Sequence, residues 1–309
     1  MGESGSKPEK RRLLREPNPL LIKEMRSRMR GARAFGLLTL YLFLLSCVAS
    51  GIYFSSSQSM AITGGANTAP VGKAVFYGIG ILEVFLVAFI TPSLTSGAIS
   101  GEKDRKTYEL LRTTLLSPRR IVLGKLSSAL IYTILLILAA IPLEGLAFIL
   151  GGVTLVELGL AVLIMIATAI SFAIIGLFFS SLVRRTRASA ILTNTAVILL
   201  TVGLPLIAIL IATMVDPYIY GYSSGISYPR WMEDLFLGTI YVIASLSPVG
   251  AAALTAVGIE EGGGSIWTFD IGLSMDVPAS WILFVVIHLI LAAVLFSATV
   301  TRVKRQETQ

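Results

Sequence analysis

This chain of 309 residues is 55% hydrophobic and only 14% charged, with a mean hydropathy of +0.82, which excludes an ordinary soluble domain. Its net charge of +7 would suit nucleic acid in a soluble protein, but here the bases flank apolar runs, where anionic lipid headgroups attract them, so membrane lipids and no nucleic acid are the expected partners. A single cysteine, Cys47, excludes an internal disulfide, and its apolar surroundings read as a small core position.

Residues 1–17 form a basic tail. From 18 to 33, Asn18 before Pro19 supplies a cap and a first helical position, and Leu21, Met25 and Met29 fall on one stripe. With Lys23, Glu24, Arg26, Arg28 and Arg30 around that stripe, the segment reads as an amphipathic helix lying in the membrane interface; the plainer reading is a solvated basic tail.

A helix needs about 20 apolar residues to cross the hydrocarbon core. Six stretches qualify between 34 and 302: Phe35 to Phe54, Ala74 to Ala98, Leu126 to Ile149, Leu158 to Val183, Ala188 to Val215 and Val277 to Thr301. Leu235 to Ile259 is a seventh candidate. Six crossings with both termini in the cytoplasm place every Lys and Arg inside except Lys73 and Arg230, including those of the closing tail, 303–309. A seventh crossing would put Arg302, Lys304 and Arg305 outside. Pro248 would break a helix in mid-segment, so Leu235 to Ile259 reads as two short pieces dipping into the outer leaflet, within an outer loop of 216–276. The expected fold is therefore an all-α integral membrane protein of six spans, with partly re-entrant outer helices before the last one. It belongs in the cell (plasma or inner) membrane.

Three ionisable residues fall within spans: Glu83, Glu144 and His288. Each needs a partner, a proton or a wet cavity, and all three lie in the outer half, Glu83 and His288 roughly 10 to 14 Å deep by the helical rise. They read as a translocation path or outer gate, or else as structural groups bonded to neighbouring helices.

The first cytoplasmic loop, GEKDRKTYELLRTTLLSPRRIVLGK, mixes acids and bases and sets Tyr108, Leu111 and Leu115 at helical spacing. A short helix there, joined to two spans, is suited to carry a push from a soluble partner into the membrane. This loop resembles the one between the first two hairpin spans of type 2 ATP-binding-cassette (ABC) exporter permeases. Glu102, Thr107, Glu109, Leu111, Ser117, Pro118, Gly124 and Lys125 match that pattern. Lys106 stands where glycine is usual, and Leu115 where proline is common. NPLLIKEMRSR, SSLVRRTRASAILTN and SLSPVGAAAL are also similar to family members, so the resemblance runs from about Asn18 to Arg305. It implies a homodimer or heterodimer of six-span subunits, with two copies of a cytosolic ABC ATPase docked on the first loop and tail helix. Glu102, Arg105, Thr107, Tyr108, Glu109, Leu111, Arg112, Ser117 and Pro118 would form the ATPase-coupling surface. ATP and Mg would be bound by the partner, since no G-x-x-x-x-G-K-[ST] occurs here; no cofactor, metal or catalytic residue is expected in this chain.

Two rival readings remain. Gly221 to Gly225 spell G-x-S-x-G, and Ser223 with His288 would make an intramembrane serine protease, although the motif falls in a turn-rich, water-facing loop. The other is a non-transporting membrane subunit of an ATPase-driven complex.

Overall fold

A computed structural model describes residues 32–63, 68–107, 117–219, 229–261, 265–273 and 276–307, side chains excepted at 33, 59–63, 216–219, 261, 306 and 307. The interfacial segment, with Lys23, Glu24, Arg26, Arg28 and Arg30, lies outside the described residues, as do Tyr108, Glu109, Leu111, Arg112 and Ser223.

The protein is a bundle of long helices. In chain order they are α1 (Ala32–Thr63), α2 (Ala69–Ser96), the short α3 (Ser100–Asp104), α4 (Pro118–Leu150), α5 (Leu155–Leu182) and α6 (Thr186–Ile198). A π-helical turn, Leu199–Gly203, joins α6 to α7 (Leu204–Ile219). Then come α8 (Arg230–Ser245), α9 (Pro248–Glu261), a hairpin of β1 (Thr268–Phe269) and β2 (Val277–Pro278), and α10 (Ser280–Glu307). Six of these units are long and apolar enough to cross a membrane: Ala34–Gln58, Ala69–Asp104, Pro118–Leu150, Leu155–Leu182, Thr186–Val215 and Ser280–Arg305. The architecture is an all-α integral membrane fold.

The third span starts eight residues earlier than hydropathy indicates, because Pro118 follows an extended Ser117 and opens the helix before the apolar run begins. The last span starts later. Val277 pairs with Phe269 in the hairpin, and the helix begins only at Ser280, beyond Pro278. Cys47 is exposed on α1 and is not a core residue.

α5 is the central pillar, with 56% of its most apolar window buried against 11% for α1 and 17% for the α6–α7 unit, so the latter two are peripheral. Close contact of α5 with α2 depends on Gly176, where a β-carbon would run into the Pro92 carbonyl and the Thr95 side chain. Tyr41, Leu45, Ile79, Leu136 and Ala140 close a second contact among α1, α2 and α4.

The α8–α9 pair bends by 120° at Leu246 and Ser247, ahead of Pro248. Its elbow is fastened. Ser247 Oγ donates to the Thr201 carbonyl at 3.0 Å, and Thr201 lies in the π-turn, where a bulge loosens the regular backbone ladder. Tyr241 Oη donates to the Pro278 carbonyl at 2.8 Å, and Ser280 Oγ donates to the Ala251 carbonyl at 3.1 Å, fixing both arms to the start of α10.

Gly176→Leu should therefore overpack the α2–α5 contact, at a cost of about 1–3 kcal/mol, while Gly159→Leu, on an open face of α5, should not. Thermal unfolding of both variants in detergent checks this: the midpoint should fall for Gly176→Leu alone.

Candidate functional site

Two polar constellations stand out in an otherwise apolar molecule, one at its basic end and one inside the bundle.

The basic end is built on the break between α2 and α3. The backbone amides of Ile99 and Ser100 both donate to Ser180 Oγ on α5, at 2.9 Å each, and Ser189 Oγ of α6 donates to the Ser96 carbonyl at 2.6 Å. These bonds satisfy groups that lipid could not. Lys103 Nζ donates to the Ser181 carbonyl at 2.8 Å, and Asp104 Oδ2 accepts from Thr186 Oγ1 at 3.1 Å. Lys125, on α4, reaches Glu102 Oε1 at 2.6 Å with only 3% of its side chain exposed.

α3 ends in a Schellman stop. Thr107 N–H donates to the Glu102 carbonyl at 3.0 Å and Lys106 N–H to the Lys103 carbonyl at 3.2 Å, which puts Lys106 at the left-handed position with φ 58°. That geometry gives the physical reason for a glycine there, and it shows that lysine can take the same turn at a conformational cost.

Of the residues expected to couple to an ATPase, Glu102 faces into the protein onto Lys125. Arg105 and Thr107 are exposed on the turn after α3; Ser117 is exposed and Pro118 half-buried at the start of α4. The segment leading into the loop is thus tied to α4, α5 and α6 together. The residues doing the tying, Ser180, Ser181, Ser189 and Thr186, were not singled out in the sequence. The available signal was a run of small hydroxyls at the end of an apolar span.

Inside the bundle, the structure brings Glu83 and Glu144 together and leaves His288 elsewhere. Tyr41 Oη on α1 donates to Glu83 Oε1 at 2.9 Å, and the Glu83 and Glu144 side chains are within hydrogen-bonding reach of each other. All three residues are at most 2% exposed. Glu83 and Glu144 thus face each other between α2 and α4, and Tyr41 secures α1 against Glu83. Because α2 starts at Ala69, Glu83 stands ~21 Å along its helix, further in than the sequence indicated.

His288 packs its ring on Phe284 at 4.0 Å and on Phe172 of α5 at 6.3 Å, with Nδ1 against the Phe284 carbonyl at 3.1 Å. Its Nε2 is buried without a hydrogen-bond partner, so His288 hydrogen-bonds to neither a carboxyl nor a nucleophile among the described residues.

A family model described as ABC-2 family transporter protein matches residues 19–299. The chain belongs to this family. It is a multi-pass membrane component of an ABC transporter, and membership implies association with an ABC ATPase. No individually curated protein matches the sequence.

Removing the hydroxyl in Tyr41→Phe leaves Glu83 Oε1 without its donor in a sealed site, which should cost about 1–3 kcal/mol. Glu83→Gln keeps an acceptor for Tyr41 and a donor for Glu144 and should lie within about 1 kcal/mol of wild type. Chemical or thermal unfolding of the two purified variants gives the comparison. Separately, Lys106→Gly should raise stability by about 1 kcal/mol through relief of the left-handed backbone, measured as an upward shift in the same unfolding curve.

Proposed function

We propose that this chain is the permease subunit of an exporter, working as a homodimer or heterodimer with two copies of a separate cytosolic ABC ATPase that binds ATP and Mg. Its membrane is the cell membrane, and both termini are cytoplasmic. The ATPase docks on the loop that follows α3 and on the interfacial helix of the tail. Nucleotide-driven motion enters there and opens a path between permease subunits.

The observation that carries this reading is the polar stitching of the α2–α3 break. A push on the loop meets Glu102 and Lys125 first, and Ser180, Asp104 and Ser189 hand it to α5 and α6. Rigid transmission to several spans at once is the physical requirement of a coupling element. Lys125 is sealed and Glu102 half-sealed, so the pair resists solvent screening better than surface ion pairs do. Family membership supplies the partner class, and the absence of a P-loop from the sequence makes that partner the source of hydrolysis.

The test is to purify the chain from native membranes in mild detergent and assay co-purifying ATPase, for wild type and a Glu109→Arg, Leu111→Asp double variant. Wild type should bring down an ABC ATPase with measurable activity, and the double variant should lose it or uncouple it. Wild type emerging alone from conditions that preserve its fold would overturn the proposal.

A further inference from the structure

Between α2, α5 and α9 lies a cavity of about 310 Å³. Its walls are apolar, supplied by residues such as Phe76, Val84, Met165 and Ala253, and Gly80 leaves one stretch of the α2 wall open. Ligand pockets run from roughly 300 to 1,000 Å³, so this one has room for a single chain or ring system and not for a whole two-chain lipid.

The polar groups gather at one end. Glu157 lines the cavity at the first turn of α5, where Oε2 accepts from Thr154 N–H at 2.6 Å and from Thr154 Oγ1 at 2.8 Å. Its other oxygen makes no hydrogen bond among the described residues, and no cation pairs with it there. Tyr77, also in the lining, donates from Oη to Glu260 Oε1 at 3.1 Å, and Lys73 Nζ meets the same oxygen at 2.6 Å. Among the described residues the base at this end, Lys73, is thereby answered by Glu260, and the Glu157 carboxyl has no base paired with it. An anionic headgroup would be repelled at such a mouth; a cationic one is complementary to it.

We infer that this cavity is a binding site for a cationic amphiphile, an alkyl or aryl amine or quaternary ammonium whose apolar part fills the space among α2, α5 and α9 while its charged head sits at Glu157. The inference rests on the permease reading and deepens it by naming a substrate class.

The experiment uses the full chain in phosphatidylcholine nanodiscs without any ATPase. Binding of radiolabelled octyltrimethylammonium is compared with octanol and octyl sulfate, after subtraction of empty discs. The cation should saturate at one site per chain and bind more tightly than either counterpart. Glu157→Gln, which keeps a capping side chain at the head of α5, should weaken the cation about tenfold and leave octanol unchanged. Gly80→Leu, whose β-carbon enters open space at the α2 wall and whose side chain narrows the cavity, should abolish binding of both. Equal affinity for the three headgroups, indifference to both substitutions, or retention of a phospholipid that the cation cannot displace in native mass spectrometry would overturn the proposal. Should Glu157→Gln lower the unfolding midpoint, Gly80→Leu decides the matter alone. Failure here leaves ATPase co-purification untouched, and failure of co-purification leaves this binding assay untouched.

Discussion

A bilayer offers no hydrogen bond to an amide or a carbonyl, and at two departures from regular helix in this bundle a neighbouring side chain takes up the loose group. Ser180 does so for the amides of Ile99 and Ser100, and Ser247 for the carbonyl of Thr201. Both breaks fall where different elements must turn relative to one another, at the root of the first loop and at the elbow of the α8–α9 pair. Small hydroxyls are suited to this work, since they reach one bond away and add almost no bulk to a close helix contact. The irregular backbone thus fixes how the helices are joined.

The acidic pair inside the bundle obeys the same constraint by a different route. Glu83 and Glu144 belong to α2 and α4 and lie side by side, and the phenol of Tyr41 brings in α1. α1 is the least buried of the spans, and its attachment includes an apolar seam, this phenol-to-carboxyl bond and the bond from Tyr132 Oη to the Ala34 carbonyl. His288 has no place in that arrangement. It is a ring among rings, packed on Phe284 and Phe172.

Hydropathy and the distribution of Lys and Arg made the six spans legible, because length and charge are one-dimensional properties. The break at Pro248 was legible for the same reason, since proline acts on its own backbone. Lys106 was visible as an oddity, and its left-handed φ supplies the cause. What the sequence hid was azimuth. Helical rise placed Glu83, Glu144 and His288 in one half of the membrane, but depth says nothing about which face of which helix a residue occupies. Tyr41 carries no signal in the sequence, because a tyrosine in an apolar span looks like bulk until its partner, 42 residues away, is known. Val277 extends the apolar run of the last span, and a β-branched residue there carries no mark of the hairpin that claims it.

The phenol of Tyr41 also bears on how the protein is made. The chain enters the membrane from its amino end, so α1 and α2 meet before α4 has been synthesised. Glu83 would then face lipid without Glu144, a costly exposure for an acid at that depth. Tyr41 precedes it on the first hairpin and is already in place to donate, so the hairpin carries its own chaperone for the buried acid. Glu144 arrives later, and the third span packs against a hairpin whose acid already has its donor.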